Sequence, residues 1–292
     1  MSCCDVVWSA DRRKQLPAWE GRIPPGSLVY AKRDHAGSLF SRLAWTRSRV
    51  VLITGESDDP VGRQDFDQRP PQIAEWFSTN ACDPRVDAIP LGLGNSYCPV
   101  TAKAADIAAV LEQCPAHERW LYVNFRPETN PSERGPLLDH FLRLGQTGDW
   151  LTVRRGDLKP TECLSEMAGH RFVLCPPGNG IDTHRMWEAL YMGTIPVVQR
   201  HPALEAFADL PILFVDDLSI PDQRSLEREF ARLTSGAWNL DKLFLPWWQE
   251  RLGVARSNLQ RSSARISWLC WLRWRTKGIF SKIPRCRGTK CE

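Results

Sequence analysis

The sequence predicts an α/β fold of two halves, each a parallel sheet covered by helices, with a cleft between them. Three observations carry this. Short apolar runs of strand length alternate with amphipathic segments along most of the 292 residues, the pattern of parallel sheets buried on both faces. The alternation restarts near residue 118, after an alanine-rich helical segment. One stretch, 171–198, reads without interruption as strand, glycine turn, helix and second strand.

In the first half, 27–31 and 49–54 read as strands, with a helical segment at 38–46 between them. Residues 71–77 read as a short helix with proline in its first turn. Residues 86–91 read as a weaker strand, because Pro90 lies in it, and 101–113 as a helix. In the second half, 120–125, 150–153, 172–174, 195–198 and 212–215 read as strands, with helices between them. The chain divides into residues 1–117, residues 118–255 and a tail at 256–292.

Composition bounds the class. An apolar fraction of 42% supplies an ordinary globular core. There is no run of 18 apolar residues, so no transmembrane helix is expected. The first residues lack a basic segment followed by an apolar one, so the expected location is cytoplasmic. The ten cysteines are scattered without a C-x-x-C pair and read as reduced thiols. The net charge of +4 is unevenly placed: residues 256–292 hold ten basic residues and one acid, so the body is mildly acidic. Within that tail, 266–280 mixes Trp and Leu with Arg and Lys. This composition suits peripheral contact with a membrane, with a nucleic-acid arm or a packed segment as rivals.

The stretch at 171–198 carries the chemistry. Pro176, Pro177, Gly178 and Gly180 end the first strand. Thr183 is placed to cap the helix that follows, and Gly193 closes it. Backbone N–H groups and a helix N-terminus thus meet at the carboxyl end of a strand, where an anion such as a diphosphate binds. Asn179, Asp182, Thr183, His184, Arg185 and Glu188 crowd one turn plus helix. Arg185 and Glu188 share a helix face. They read either as a surface ion pair worth little or as a phosphate cation and a ribose acceptor. Thr183 stands where a dinucleotide-binding turn has its third glycine, which disfavours a nicotinamide-dependent oxidoreductase.

Elsewhere, the loop at 124–134 also follows a strand. It offers Arg126 and Arg134 as a diphosphate clamp, with Asn130 between them. The segment 54–59 brings Glu56, Asp58 and Asp59 to the end of a strand. Asp58 is a candidate base, with Asp34 and His35 as rivals and a plain turn as the alternative. Asp65-Phe-Asp67 matches a metal-holding D-x-D, but no apolar strand precedes it, so no metal is expected.

Phe172-Val-Leu-Cys-Pro-Pro-Gly-Asn-Gly-Ile-Asp-Thr-His-Arg-Met-Trp-Glu-Ala-Leu-Tyr-Met-Gly-Thr-Ile-Pro-Val197 resembles the donor-binding region of exostosin-like (GT47-type) glycosyltransferases. The segments at 53–58, 76–80, 89–94 and 122–134 are similar to further islands of that family, so the likeness covers roughly 27–235. Pro177 departs from it, since relatives often carry a basic residue there. The resemblance implies a GT-B fold, two Rossmann-like domains facing a cleft, with 1–117 on the acceptor side and 118–255 binding the donor. It implies glycosyl transfer from a nucleotide-diphosphate sugar of UDP or GDP type to a glycan or other hydroxyl. The transfer would be inverting and metal-independent, with the nucleotide sugar as co-substrate and no separate cofactor. Asp58 and Arg185 are then the expected catalytic pair. Arg126, Asn130, Arg134, Gly178, Asn179, Gly180, Asp182, Thr183, His184, Arg185 and Glu188 are the expected donor contacts. The alternative is a catalytically silent sugar- or nucleotide-binding protein of the same fold.

Overall fold

A computed structural model describes residues 3–8, 23–95, 101–113, 115–145, 149–262 and 265–272. Along the chain run β1 (Val6–Trp8), β2 (Leu28–Lys32), α1 (Ala36–Leu43), β3 (Val50–Gly55), α2 (Arg63–Gln68), β4 (Ile73–Ser78), β5 (Asp87–Ala88) and α3 (Ala104–Leu111). Then follow β6 (Arg119–Asn124), α4 (Pro131–Leu144), β7 (Leu151–Arg154), α5 (Pro160–Ala168), β8 (His170–Leu174), α6 (His184–Tyr191) and β9 (Ile195–Gln199). Last come β10 (Leu213–Val215), α7 (Gln223–Thr234) and α8 (Leu245–Ser262). The fold is α/β with two five-stranded parallel sheets, as the alternation predicts. No helix among the described residues is long and apolar enough to cross a membrane.

The chain forms two compact units, Met1–Ile89 with Phe244–Glu292, and Pro90–Leu243. This differs from the sequence division at 117/118 and 255/256. Residues 90–117 belong with the second unit because α3 packs on α5 and because Leu91, Gly92 and Ala102 are tied to α6 and to Asp182 just before it. Residues 245–262 belong with the first unit, for a topological reason. Its strand order is β1-β2-β3-β4-β5, so the connections from β2 onward step the same way and right-handed crossovers put them on one face. That face buries Val29, Ala31, Val50, Leu52 and Trp76 under Leu39 and Leu43 of α1. The opposite face, with Leu28, Val51, Ile53 and Phe77, receives none of these connections. Leu252, Ala255 and Leu259 of α8 cover it. Leu259, inside the segment the sequence sets apart as a tail, is therefore core. Residues 273–280 of the expected membrane-contacting segment lie outside the described residues.

Two other elements depart from the sequence reading. The three-residue β1 is too short to leave a pattern. Residues 71–77, read as a helix, hold all of β4 but its last residue. Ile73 and Trp76 sit on one face of the sheet although three residues apart, because the β3–β4 register slips between Val50/Ile73 and Val51/Glu75. The bulge breaks the two-residue alternation of a strand and leaves apolar residues at helical spacing.

The second unit has the strand order β10-β9-β8-β6-β7. From β6 the chain steps outward to β7, then returns across β6 to β8 and continues the other way. Adjacent β6 and β8 thus form a topological switch point. Leu121, Val123, Phe172 and Leu174 pack on one face with Phe141 of α4 and Leu226 and Leu233 of α7. Tyr122 looks the other way, its hydroxyl 3.8 Å from Cys163 Sγ on α5.

Candidate functional site

A cavity of about 250 Å3 opens in the second unit at the carboxyl ends of β6, β7 and β8. Its wall draws Asn124, Phe125 and Arg126 from the loop after β6, Gly156 and Leu158 from the loop after β7, and Thr183, His184, Arg185 and Glu188 from the entry and first turns of α6. It therefore lies at the switch point, the position at which open parallel sheets hold ligands outside their strand ends.

Of the expected donor contacts, Arg126, Arg134, Thr183, His184, Arg185 and Glu188 line this cavity. Gly178, Asn179, Gly180, Asp182 and Asn130 are not part of its wall. Gly178 N donates to Gly180 O at 2.9 Å, which closes the glycine turn on itself, and Asn179 is exposed. Asn130 Nδ2 donates to Glu133 Oε2 at 3.1 Å and reaches Pro177 O at 3.5 Å. Thr183 has the extended backbone of a helix cap, but its side chain makes no capping bond. Gly193 ends the helix region with φ +72°, as the sequence anticipates.

Arg185 and Glu188 form an ion pair of 3.3 Å, with side-chain exposures of 24% and 7%. It is not the solvated surface pair that was the alternative reading. Glu188 Oε1 also accepts from Ala102 N at 3.2 Å. On its other side, Arg185 Nη1 donates to Cys163 Sγ. Burial alone pulls the Arg185 pKa down. The Cys163 sulfur, the Glu188 carboxylate and the Tyr122 hydroxyl outweigh that and raise it, so the guanidinium stays charged. Burial, reinforced by Cys163, raises the Tyr122 pKa and keeps it a neutral phenol.

Arg134 is a tie between loops. Its guanidinium donates to Pro177 O (2.8 Å), Pro176 O (2.7 Å), Arg126 O (3.2 Å) and Thr129 Oγ1 (2.7 Å). Four of its five donors thus hold the loop after β6 to the loop after β8. Burial, with repulsion from Arg185, lowers its pKa to about 10, which leaves it charged at neutral pH. Arg126 is exposed and donates from Nε to Gly156 O at 3.2 Å.

Asp182 is a buried anchor. It accepts from Leu91 N at 2.8 Å, from Trp187 Nε1 at 2.7 Å and from the Thr183 backbone. His184 Nδ1 lies 2.7 Å from Gly92 O. Together the two residues strap 91–92 to the start of α6. Burial pushes the Asp182 pKa up to about 7, against its hydrogen bonds. The folded state therefore holds this proton more tightly than the unfolded chain. The resulting stability is complete below about pH 4 and is lost as pH rises to about 7. Relative to Asp182→Asn, the native protein is expected to lose about 4 kcal/mol across that window, at 1.36 kcal/mol per pH unit. Urea unfolding of both proteins from pH 4 to 7.5 measures the difference, and a flat difference would mean Asp182 titrates as an ordinary carboxylate.

Asn124, Gly156 and Cys163 are among the wall residues that sequence reasoning missed. Asn124 donates to Tyr122 Oη (2.8 Å) and Cys163 Sγ (3.2 Å) and accepts from Gly156 N (2.9 Å). Gly156 has φ +76°, and a Cβ there would stand 2.8 Å from the Phe125–Arg126 backbone, so glycine is required. A glycine at the end of a strand is the signal for it. Cys163, inside a helix, leaves none.

In the first unit, Asp58 is exposed in the loop after β3. Its rival Asp34 accepts from Ser57 Oγ at 2.6 Å and pairs with Lys32 at 3.1 Å. Burial opposes ionisation of Asp34, but these partners prevail and hold its pKa below the usual value, which makes it a weaker base than a free carboxylate. Asp65 and Asp67, two apart on α2, turn to different partners. Asp65 pairs with Arg33 at 2.5 Å, and Asp67 with Arg85 at 2.9 Å.

No known family profile matches the chain, and no curated protein matches it. Among solved structures, it is similar to a spinosyn rhamnosyltransferase, SpnG, solved with spinosyn aglycone. That likeness has 9% identity, covers 80% of this chain and 70% of that one, and has a TM-score of 0.40. A glycosyltransferase from Rickettsia africae ESF-5 is similar at 10% identity, with 86% and 75% coverage and a TM-score of 0.38. Likenesses this distant do not bear on the chemistry of this chain.

Proposed function

We propose that the protein is a glycosyltransferase that moves a sugar from a UDP- or GDP-type sugar to a hydroxyl of a glycan or other acceptor. One observation carries this reading. The cavity at the switch point of the second sheet is walled in part by 171–198, which resembles the exostosin-like donor-binding region, and by 122–134, which is similar to a further island of that family. In this reading the diphosphate faces the first turn of α6, with Arg185 and the exposed Arg126 as its cations. Glu188 accepts from the ribose hydroxyls. Asp58 takes the acceptor proton as the acceptor oxygen bonds to the anomeric carbon. The bond from that carbon to the diphosphate oxygen breaks on the opposite face, which inverts the centre. Charge that builds on the leaving diphosphate is met by Arg185 and the helix rather than by a metal.

The test is a thermal-shift panel of UDP-, GDP- and dTDP-sugars, followed by a transfer assay with the donor that binds. Ligand at about 100 times its Kd is expected to add about 2.7 kcal/mol of stability. Transfer is expected to persist in excess EDTA, and loss that magnesium restores would assign a catalytic ion. Binding without hydrolysis or transfer would leave a nucleotide-sugar binding protein, and no shift with any sugar nucleotide would end the reading.

A further inference from the structure

Residues 44–48 and 265–272 build one surface of the first unit. Ser48 and Arg265 form an antiparallel bridge. Ile266 N donates to Arg47 O at 2.9 Å, and Arg47 Nε donates back to Ile266 O at 3.0 Å. Ile266 is buried, which fixes the segment in place. Just beyond it Trp271 Nε1 donates to Ala44 O at 3.1 Å, and the Trp268 and Trp271 rings lie 4.9 Å apart. Apolar side chains on this surface nevertheless face outward: Trp45 is 68% exposed, Trp268 55%, Leu269 67% and Leu272 44%. Arg47 and Arg265, both exposed, flank them.

The charge around this surface has one sign along the chain. No acid lies between Asp34 and Glu56, where Arg42, Arg47 and Arg49 sit. None lies between Glu250 and Glu292, and residues 273–291 add seven further basic residues. Exposed tryptophans and leucines flanked by Arg47 and Arg265 match a bilayer interface, where indoles sit at headgroup depth, leucines reach the acyl chains and cations meet lipid phosphates. A single-stranded nucleic acid fits less well. Its bases need open ring faces, whereas Trp268 and Trp271 lie against each other and the leucines offer none.

We propose that the surface formed by Trp45, Trp268, Leu269 and Leu272 docks the protein on an anionic membrane, with Arg47 and Arg265 as its electrostatic partners.

Co-sedimentation of the full chain with vesicles tests this, using phosphatidylcholine alone and phosphatidylcholine rich in phosphatidylserine. Binding is expected to the anionic vesicles, weakly or not at all to neutral ones, and to fall with salt. The variant W45S/W268S/L269S is expected to bind anionic vesicles at least about tenfold more weakly with an unchanged Tm. L269E, at an exposed position, is the second variant if the first does not fold. Three results would overturn the proposal: no sedimentation with anionic vesicles, vesicle binding unaltered in the folded variant, or retention by single-stranded RNA in place of vesicles.

Discussion

Arg185→Ala is expected to cut kcat by about 10²–10³-fold, the usual cost of removing one preorganised donor from a centre where negative charge develops. The guanidinium is already fixed and charged before any ligand arrives, held by Glu188 on one side and Cys163 on the other. A cation that needs no reorganisation acts on the transition state more than on the bound substrate. Glu188, on the ribose, is expected to act mainly on KM, but its ion pair with Arg185 complicates Glu188→Ala. That variant also releases Arg185 and strips the acceptor from Ala102 N, so it lowers kcat as well. Glu188→Gln keeps one acceptor oxygen, for Ala102 N or for Arg185 but not for both, and removes the charge. The expected order of kcat loss is Arg185→Ala, then Glu188→Ala, then Glu188→Gln, measured by steady-state kinetics with the donor found in the panel. A normal kcat for Arg185→Ala would remove the residue from the active site and, with it, the case for diphosphate binding at α6.

The sequence shows most of the strands because a strand buried on both faces must be apolar throughout, and runs such as 50–53 and 172–174 have no other reading at their length. It misleads at β4, where a bulge converts strand alternation into helical spacing at Ile73, Trp76 and Phe77. It also hides the role of α8, because nothing in that helix says which uncovered sheet face it serves. That need follows from the strand order of the first unit, which only the structure gives. At the candidate site the balance is similar. Arg126, Thr183, His184, Arg185 and Glu188 are legible because they follow a strand end or glycine turn in a polar cluster. The division of labour among them is not legible. Asp182 and Arg134 look as ligand-like as their neighbours, and only their hydrogen bonds to backbone show that they hold loops in place.

That division makes Arg134→Ala the sharpest test of the site's construction. A phosphate clamp, as the sequence alone suggests, would leave stability unchanged when removed and weaken donor binding. A loop tie behaves differently. Removing it takes a charged donor from the carbonyls of Arg126, Pro176 and Pro177, although Thr129 Oγ1 and Asn130 Nδ2 still reach the first and the last. Each hydrogen bond to a charged group is worth about 1.5–3 kcal/mol, and non-additivity brings the expected total to about 3–5 kcal/mol. At about 2–4 °C per kcal/mol, Tm falls by roughly 10 °C. Lysine restores little, because a point ammonium has three donors and no planar fork to span two loops. Urea unfolding of Arg134→Ala and Arg134→Lys, with donor binding measured on the folded fraction, separates the two roles. Native stability with lost binding would return Arg134 to the ligand. A large loss of stability in both variants fixes it as the residue that shapes the cavity, and it places the direct grip on an anion with Arg126, Arg185 and the first turn of α6.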